Sequence, residues 1–252
     1  MDVGAGVLTR AMRVLQCFTD DQPALPATRI AELTGLPSST LHRLLAQLTS
    51  FGLLARAPDH RYTIGAKLWE LGELSPLSLR LRETALPHMS RLYEATRENV
   101  HLAVLDAPTP ETATALYVGR VTGREAIPTL SRIGGRHPLH ATGVGKALLS
   151  TCDEAWLRRY FSVPLERETT LSITSEDELR TDIARARARG YATTREEMTL
   201  GNLSVAAPLP RVDGLPPTAI GIVVHLELAD ERRLSGIVMQ TARDLAAALK
   251  DT

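Results

Sequence analysis

Cysteine is nearly absent from this 252-residue chain: Cys17 and Cys152 are the only two. They are too few for a disulfide framework and lack the paired spacing of a zinc site, so both are expected as reduced, partly buried thiols. Long apolar runs are missing as well. No segment approaches the roughly 20 apolar residues of a spanning helix. The opening MDVGAGVLTRAMRVLQCF has no basic region followed by a long apolar stretch, so the chain reads as cytoplasmic, with no membrane partner. Net charge is absent too, 29 basic residues standing against 29 acidic ones, which gives no global sign of a polyanionic partner. There is no internal repeat and no low-complexity tract. Catalytic signatures are equally scarce. G-x-S-x-G does not occur, and Gly145-Lys146 fails as a phosphate-binding loop because His140 and Ala147 occupy positions that need Gly and Ser or Thr. His137, His140, Glu196, Glu197 and Cys152 show no helix-compatible metal-ligand spacing. No cofactor, metal or enzymatic activity is expected.

What is present suits a folded, two-domain protein: 44% hydrophobic and 23% charged residues over a length above that of a typical single domain. Leu8, Ala11, Val14, Leu15 and Phe18 recur at helical spacing, predicting a first amphipathic helix. An Asp- and Pro-rich loop follows over 19–26, then a short helix over 27–33, the turn Thr34-Gly35-Leu36, and a helix from Pro37 to about Ser50. Pro37 suits a first helical turn, and Ser38 and Ser39 lie where small polar groups can cap orphan amides. Two helices that cross steeply need a small residue at the contact and a turn residue tolerant of positive φ. Ala31 and Gly35 meet those needs, and Leu41 packs the second helix onto the first. The pattern is that of a helix-turn-helix; a helical hairpin of another fold, with Gly35 as an ordinary C-cap, is the alternative. Two strand-like pieces around Pro58-Asp59 then read as a hairpin, the wing.

From Arg29 to Lys67 five basic residues face two acidic ones, a net of +3, modest local support for nucleic-acid contact. Ser38, Ser39, Thr40, His42 and Arg43 fall where a recognition helix meets base edges and phosphates, with Thr28 and Arg29 as further candidates. Arg61 in the wing suits phosphate or minor groove. Arg43 suits base or phosphate equally; alternatively it braces the helix through Glu32. Beyond the wing, 65–96 is mostly helical in pattern, interrupted at Ser75-Pro76 and Pro87. Strands are expected over 100–105, 115–121, 126–133, 203–208 and 219–226, and helices over 142–151, 153–161, 176–189 and 230–249, with Gly190 as a C-cap. That order indicates an α+β fold.

With these residues placed, the sequence resembles the IclR family of bacterial transcription regulators. The N-terminal match runs through Leu8-Thr9-Arg10-Ala11, Ile30-Ala31, Thr34 to Leu45, Gly52-Leu53, Tyr62 and Gly65. The C-terminal match runs through Pro138 to Leu148, Thr169, Thr174, Gly190-Tyr191-Ala192, Glu196-Glu197, Gly201 and Ala206-Ala207-Pro208-Leu209. The resemblance implies a winged helix-turn-helix domain over 1–70, a linker helix over 71–84, and a GAF-like effector-binding domain over 85–252. It also implies homodimers or homotetramers that bind palindromic double-stranded operators, usually as repressors. Leu130, Ile133, Gly143, Val144, Thr194, Ser204, Gly221 and Val223 would bind a small-molecule effector, its carboxylate received by the Gly143 and Val144 amides. Exposed amides at a helix N-terminus suit an anion; alternatively Gly143 and Gly145 merely permit close packing. Where members that sense small polar acids carry Asp, Cys, Ser and Ser, this chain has Thr194, Ser204, Gly221 and Val223, so the acid and both serines are lost. A larger, more apolar or aromatic acid is therefore expected. Rival readings are a ligand-independent DNA-binding regulator with a degenerate pocket and, more remotely, a small-molecule enzyme.

Overall fold

The computed structural model describes residues 6–123 and 131–251, and the chain divides into two compact units, Met1–Ser75 and Pro76–Thr252. The first unit contains α1 (Val7–Leu15), β1 (Ala24–Leu25), α2 (Ala27–Thr34), α3 (Ser38–Ser50), β2 (Leu54–Arg56), β3 (Tyr62–Ile64) and α4 (Ala66–Glu73). Helix α1 stops at Leu15, short of Phe18, and Val14 is its one fully buried residue. Gly35 ends α2 at φ +63° and donates its N–H to the Ala31 carbonyl at 2.9 Å, the left-handed cap that the turn demands. The expected serine capping of α3 does not occur. Pro37 occupies the N-cap and no side chain accepts a bond there, which leaves Ser38 and Ser39 exposed.

Ile30, Leu41, Leu44, Leu45, Leu48 and Leu54 form the core of this unit. The hairpin β2–β3 is the wing, and β1 pairs with β3 from the other side. Two residues are too few for strand alternation to show, so β1 falls inside what reads as a loop. Where the hairpin returns past the end of α3, a Cβ on Gly65 would lie 2.1 Å from the Gly52 carbonyl oxygen.

In the second unit a π-helical turn (Leu77–Arg82) leads into α5 (Glu83–Thr96). Pro87 lies inside α5 rather than interrupting it; the bond it cannot donate falls at the junction with the π-helical turn, where the ladder is already irregular. Then follow β4 (Asn99–Asp106), β5 (Thr114–Val121), β6 (Arg136–Pro138), α6 (Gly143–Leu149), α7 (Glu154–Tyr160), α8 (Glu176–Arg189), β7 (Ala192–Arg195), β8 (Asn202–Pro208), β9 (Thr218–His225) and α9 (Glu231–Lys250). Of the strand expected over 126–133, residues up to 130 lie outside the described ones and 131–133 are not extended in a ladder.

The strands form one antiparallel sheet in the order β6-β5-β4-β9-β8-β7. Its two faces differ in bulk. One carries Leu102, Val104, Val205, Ile220, Ile222 and Val224 and is covered by α5 and α9. The other carries Ala103, Ala115, Ala206 and Ala219 beneath α6, α7 and α8. Small residues let α6 approach closely, and all seven of its residues are buried.

Placing a methyl group at the Gly65 crossing forces backbone to shift, so Gly65→Ala is expected to cost about 1–3 kcal/mol. A lower urea midpoint for the N-terminal unit, with the C-terminal unit unchanged, is the expected reading; an unchanged midpoint contradicts the close approach.

Candidate functional site

On the N-terminal unit, α3 buries Leu41, Leu44, Leu45 and Leu48 and leaves Ser38, Ser39, His42 and Arg43 exposed on the opposite side, with Thr40 half-buried. Glu32 does not brace Arg43: it pairs with Arg29 at 2.9 Å. Arg43 has no hydrogen-bond or ion-pair partner among the described residues. In the wing, Asp59 accepts from the Arg61 Nε at 2.6 Å and from its backbone N–H at 3.2 Å, with His60 at φ +64° between them. Thr28 is exposed in the first turn of α2.

The second unit encloses a cavity with about 470 Å³ of empty space, its mouth included, between the small-residue face of the sheet and the N-terminus of α6. One wall is aromatic. His101 on β4 meets Tyr117 on β5 edge to face at 5.3 Å, and Tyr117 meets His137 on β6 the same way at 5.1 Å. Ser131 Oγ stands 2.7 Å from His101 Nε2, and Tyr117 and Thr142 line the cavity together. Thr142 is the N-cap of α6 and accepts from the Gly145 N–H at 3.2 Å. The Gly143 and Val144 amides have no acceptor among the described residues.

Of the expected effector residues, the fold brings Gly143, Thr194, Ser204 and Val223 to the cavity. The Val144 side chain turns into the core. Gly221 lies opposite His101 on the cavity side of the sheet but presents no side chain, since a Cβ there would meet the Ala206 Cβ at 2.6 Å. Ile133 is half exposed and is not among the residues that line the cavity, and Leu130 lies outside the described residues. Both glycines of Gly143-Val144-Gly145 allow close contact: a Cβ on Gly143 would meet Ser204 Oγ at 2.3 Å, and one on Gly145 the Leu139 carbonyl oxygen at 2.3 Å. Free amides and close packing therefore coexist in one segment.

The lining is more polar than the losses at 194, 221 and 223 suggest. His101, Ser131, His137, Asn202 and Glu197 all reach the cavity, and their positions in other strands and loops gave no spacing signal. Burial lowers the His101 pKa to about 3, with Arg120 and His137 adding to the effect, and burial likewise lowers His137 and His140. These imidazoles are neutral near neutral pH. His140 does not serve the cavity; its Nε2 lies 2.7 Å from the Glu166 carbonyl oxygen. Behind the wall, Lys146 on α6, only 1% exposed, places Nζ 2.6 Å from Asp182 Oδ2 on α8 and 2.7 Å from Glu197 Oε2. Glu197 belongs to a loop over the cavity that also supplies Met198 and Thr199. Thr169 Oγ1 and Ser172 Oγ tie this loop down by donating to the Glu196 and Glu197 carbonyls, each at 2.7 Å. Among the described residues no three His, Cys, Asp or Glu side chains are grouped to hold a metal, and no helix is long and apolar enough to cross a membrane.

Comparison with known proteins assigns both units. Residues 7–58 match the IclR helix-turn-helix domain, and residues 76–249 match the bacterial transcriptional regulator IclR C-terminal family. The HTH-type transcriptional regulator XynR of Escherichia coli (strain K12) is 33% identical over 228 residues, 90% of this chain and 88% of the relative. The transcriptional repressor IclR of the same organism is 29% identical over 246 residues, 96% and 89% of the two chains. Among solved structures, an IclR homolog from Microbacterium hydrocarbonoxydans, complexed with 4-hydroxybenzoate, superposes with a TM-score of 0.90 at 32% identity, covering 98% of this chain and 100% of the other.

The cavity histidines predict a pH dependence. The unfolded chain protonates them near pH 6.5, whereas folded His101 resists protonation down to about pH 3. The stability they confer is therefore present above pH 6.5 and lost as pH falls. His101 alone should account for about 2 kcal/mol between about pH 7 and about pH 5. Glu197, raised by burial, acts in the opposite sense, so the difference between wild type and His101→Asn isolates the histidine. Urea denaturation across this range should show a shallower pH dependence in the variant; identical slopes refute the neutral, buried imidazole.

Proposed function

The chain belongs to the IclR family of bacterial transcriptional regulators, and from that premise we propose that it is a repressor released or engaged by a hydroxylated aromatic acid. It is an effector-controlled, DNA-binding regulator and not an enzyme, an α+β protein with a winged helix-turn-helix and a GAF-like effector domain. The observation that carries the ligand class is the aromatic wall of His101, Tyr117 and His137 beside the free Gly143 and Val144 amides. An aromatic ring packs edge-on or offset against such a wall. The amides receive the carboxylate, and the His101–Ser131 pair, which both donates and accepts, answers a ring hydroxyl. Thr194, Ser204 and Val223 shape the remaining surface. The bound 4-hydroxybenzoate of the Microbacterium homolog supports this class.

On the DNA side, Arg43 enters the major groove with Ser38, Ser39, Thr40 and His42, while Thr28, Arg29 and Arg61 contact phosphates. The site is a palindromic operator read by a homodimer or homotetramer in the cytoplasm. Support for self-association comes from the unpartnered apolar side chains of the N-terminal unit: Trp69, Leu71 and Leu74 on and just after α4, and Val7, Leu8 and Met12 on α1, are all exposed, a pattern that marks an interaction surface. Effector occupancy shifts a conformational equilibrium in the helical link around residues 66–84, altering the spacing of paired recognition helices. Within that link, the π-helical turn Leu77–Arg82 is the irregular element.

Arg43→Ala is expected to weaken binding to a duplex selected by the wild-type chain from a random library, by about 1–3 kcal/mol. Calorimetry should meanwhile show unchanged affinity for 4-hydroxybenzoate. Loss of folding or of acid binding in this variant contradicts the assignment of Arg43, and tight binding of pyruvate or glyoxylate with none of aromatic acids contradicts the ligand class.

A further inference from the structure

The charge around the cavity does not balance. Lys146 is one buried cation between two carboxylates, Asp182 at 2.6 Å and Glu197 at 2.7 Å. With all three ionised the cluster carries +1 −1 −1, a net of −1. Glu197 itself lines the cavity. Its side chain is 7% exposed, against 18% for Asp182, so Asp182 is the better solvated counter-ion and Glu197 carries the excess. Taking a second anion into the same enclosure adds repulsion in a poorly solvated space. Among the described residues no basic side chain lines the cavity to offset it; the other titratable lining groups among them are His101, His137 and Tyr117. The elements around Glu197 contribute Lys146 from α6, Asp182 from α8 and the Thr169 and Ser172 hydroxyls, which are spent on the backbone carbonyls of its loop.

We propose that Glu197 takes up a proton from solvent when an acidic effector enters, so that the cavity binds the effector's anion and one proton together. The proposal rests on the reading of the cavity as an acid-binding site. The proton comes from water or buffer, the Glu197 carboxylate becomes a carboxylic acid, and Lys146 keeps Asp182 as its ionised partner. Glu197 still accepts from Lys146 and gains one O–H donor. The cluster then totals zero, and the incoming carboxylate is the cavity's net charge. Burial already raises the Glu197 pKa, Asp182 adds to the rise, and Lys146 opposes it, which places the carboxyl closer to neutral pH than an exposed glutamate. Effector affinity must therefore fall as pH rises.

The test is calorimetry of the full chain with 4-hydroxybenzoate, in two buffers of different ionisation enthalpy, across about pH 6 to 8 where the acid's own carboxyl stays ionised. The expected result is uptake approaching one proton per site at the upper end, with affinity dropping toward tenfold per pH unit. Glu197→Gln should bind the acid with no uptake and no pH dependence. Asp182→Asn provides an independent check that leaves Glu197 in place: it makes Lys146 and Glu197 a balanced pair, so uptake should vanish there too, and this variant decides the matter if the glutamine variant fails to fold. Binding by wild type without uptake, or uptake undiminished in either variant, overturns the proposal while leaving the acid site standing. Failure of the wild-type chain to bind the acid at all overturns the proposed ligand class and this inference with it.

Discussion

A buried ammonium is retained only when it is paired, because removing it from water costs several kcal/mol that nothing but close opposite charge offsets. Lys146 meets that requirement by reaching out of α6 to α8 and to the loop over the cavity. One side chain thus ties together three segments that are far apart in the chain. The neighbouring glycines serve the same end: Gly143 and Gly145 let α6 sit against Ser204 and Leu139 closely enough for Lys146 to be fully enclosed. The segment Gly143-Val144-Gly145-Lys146 looks like part of a phosphate-binding loop because it combines tight backbone approach with a lysine. Here the lysine points into the protein and holds the wall of the cavity.

The sheet makes room for this arrangement through unequal faces. Large aliphatic residues on one side meet α5 and α9 in a continuous core. Alanines on the other bring α6 close, and the space left where the alanines give way to His101, Tyr117 and Thr194 is the cavity. The proposed ligand cavity consequently sits beside α6, whose seven residues are all buried, so a ligand there would bear on α6, on α8 through Asp182, and on the loop through Glu197. Coupling of that kind requires only that two arrangements differ in their affinity for the ligand.

Elements were legible where their signals are local. The helix-turn-helix rests on Ala31, Gly35 and Leu41, all within two turns of the bend, and the structure gives Gly35 the left-handed conformation such a bend requires. The long helices α8 and α9 and the strands β4, β5, β8 and β9 carry enough residues for periodicity to show. The short strands β1, β6 and β7 do not, and Pro87 reads as a break although α5 continues through it. The cavity was half legible. Gly143, Thr194, Ser204 and Val223 were found through family resemblance, whereas His101 and Ser131 are paired across 30 residues. Lys146 finds its partners 36 and 51 residues away. Contacts of that separation are set by tertiary packing and leave no trace in spacing. For the same reason the Arg29–Glu32 pair, one turn apart on α2, displaces the brace imagined for Arg43.

Occupancy of the C-terminal cavity is proposed to control the affinity of the N-terminal helix-turn-helix for DNA. Fluorescence anisotropy of the full chain on its selected duplex, with and without saturating 4-hydroxybenzoate at fixed salt, measures that coupling directly. A change in dissociation constant of about 5- to 150-fold is expected, the range of a 1–3 kcal/mol coupling free energy. The same dissociation constant with and without the acid, under conditions where calorimetry shows the cavity filled, would contradict the account.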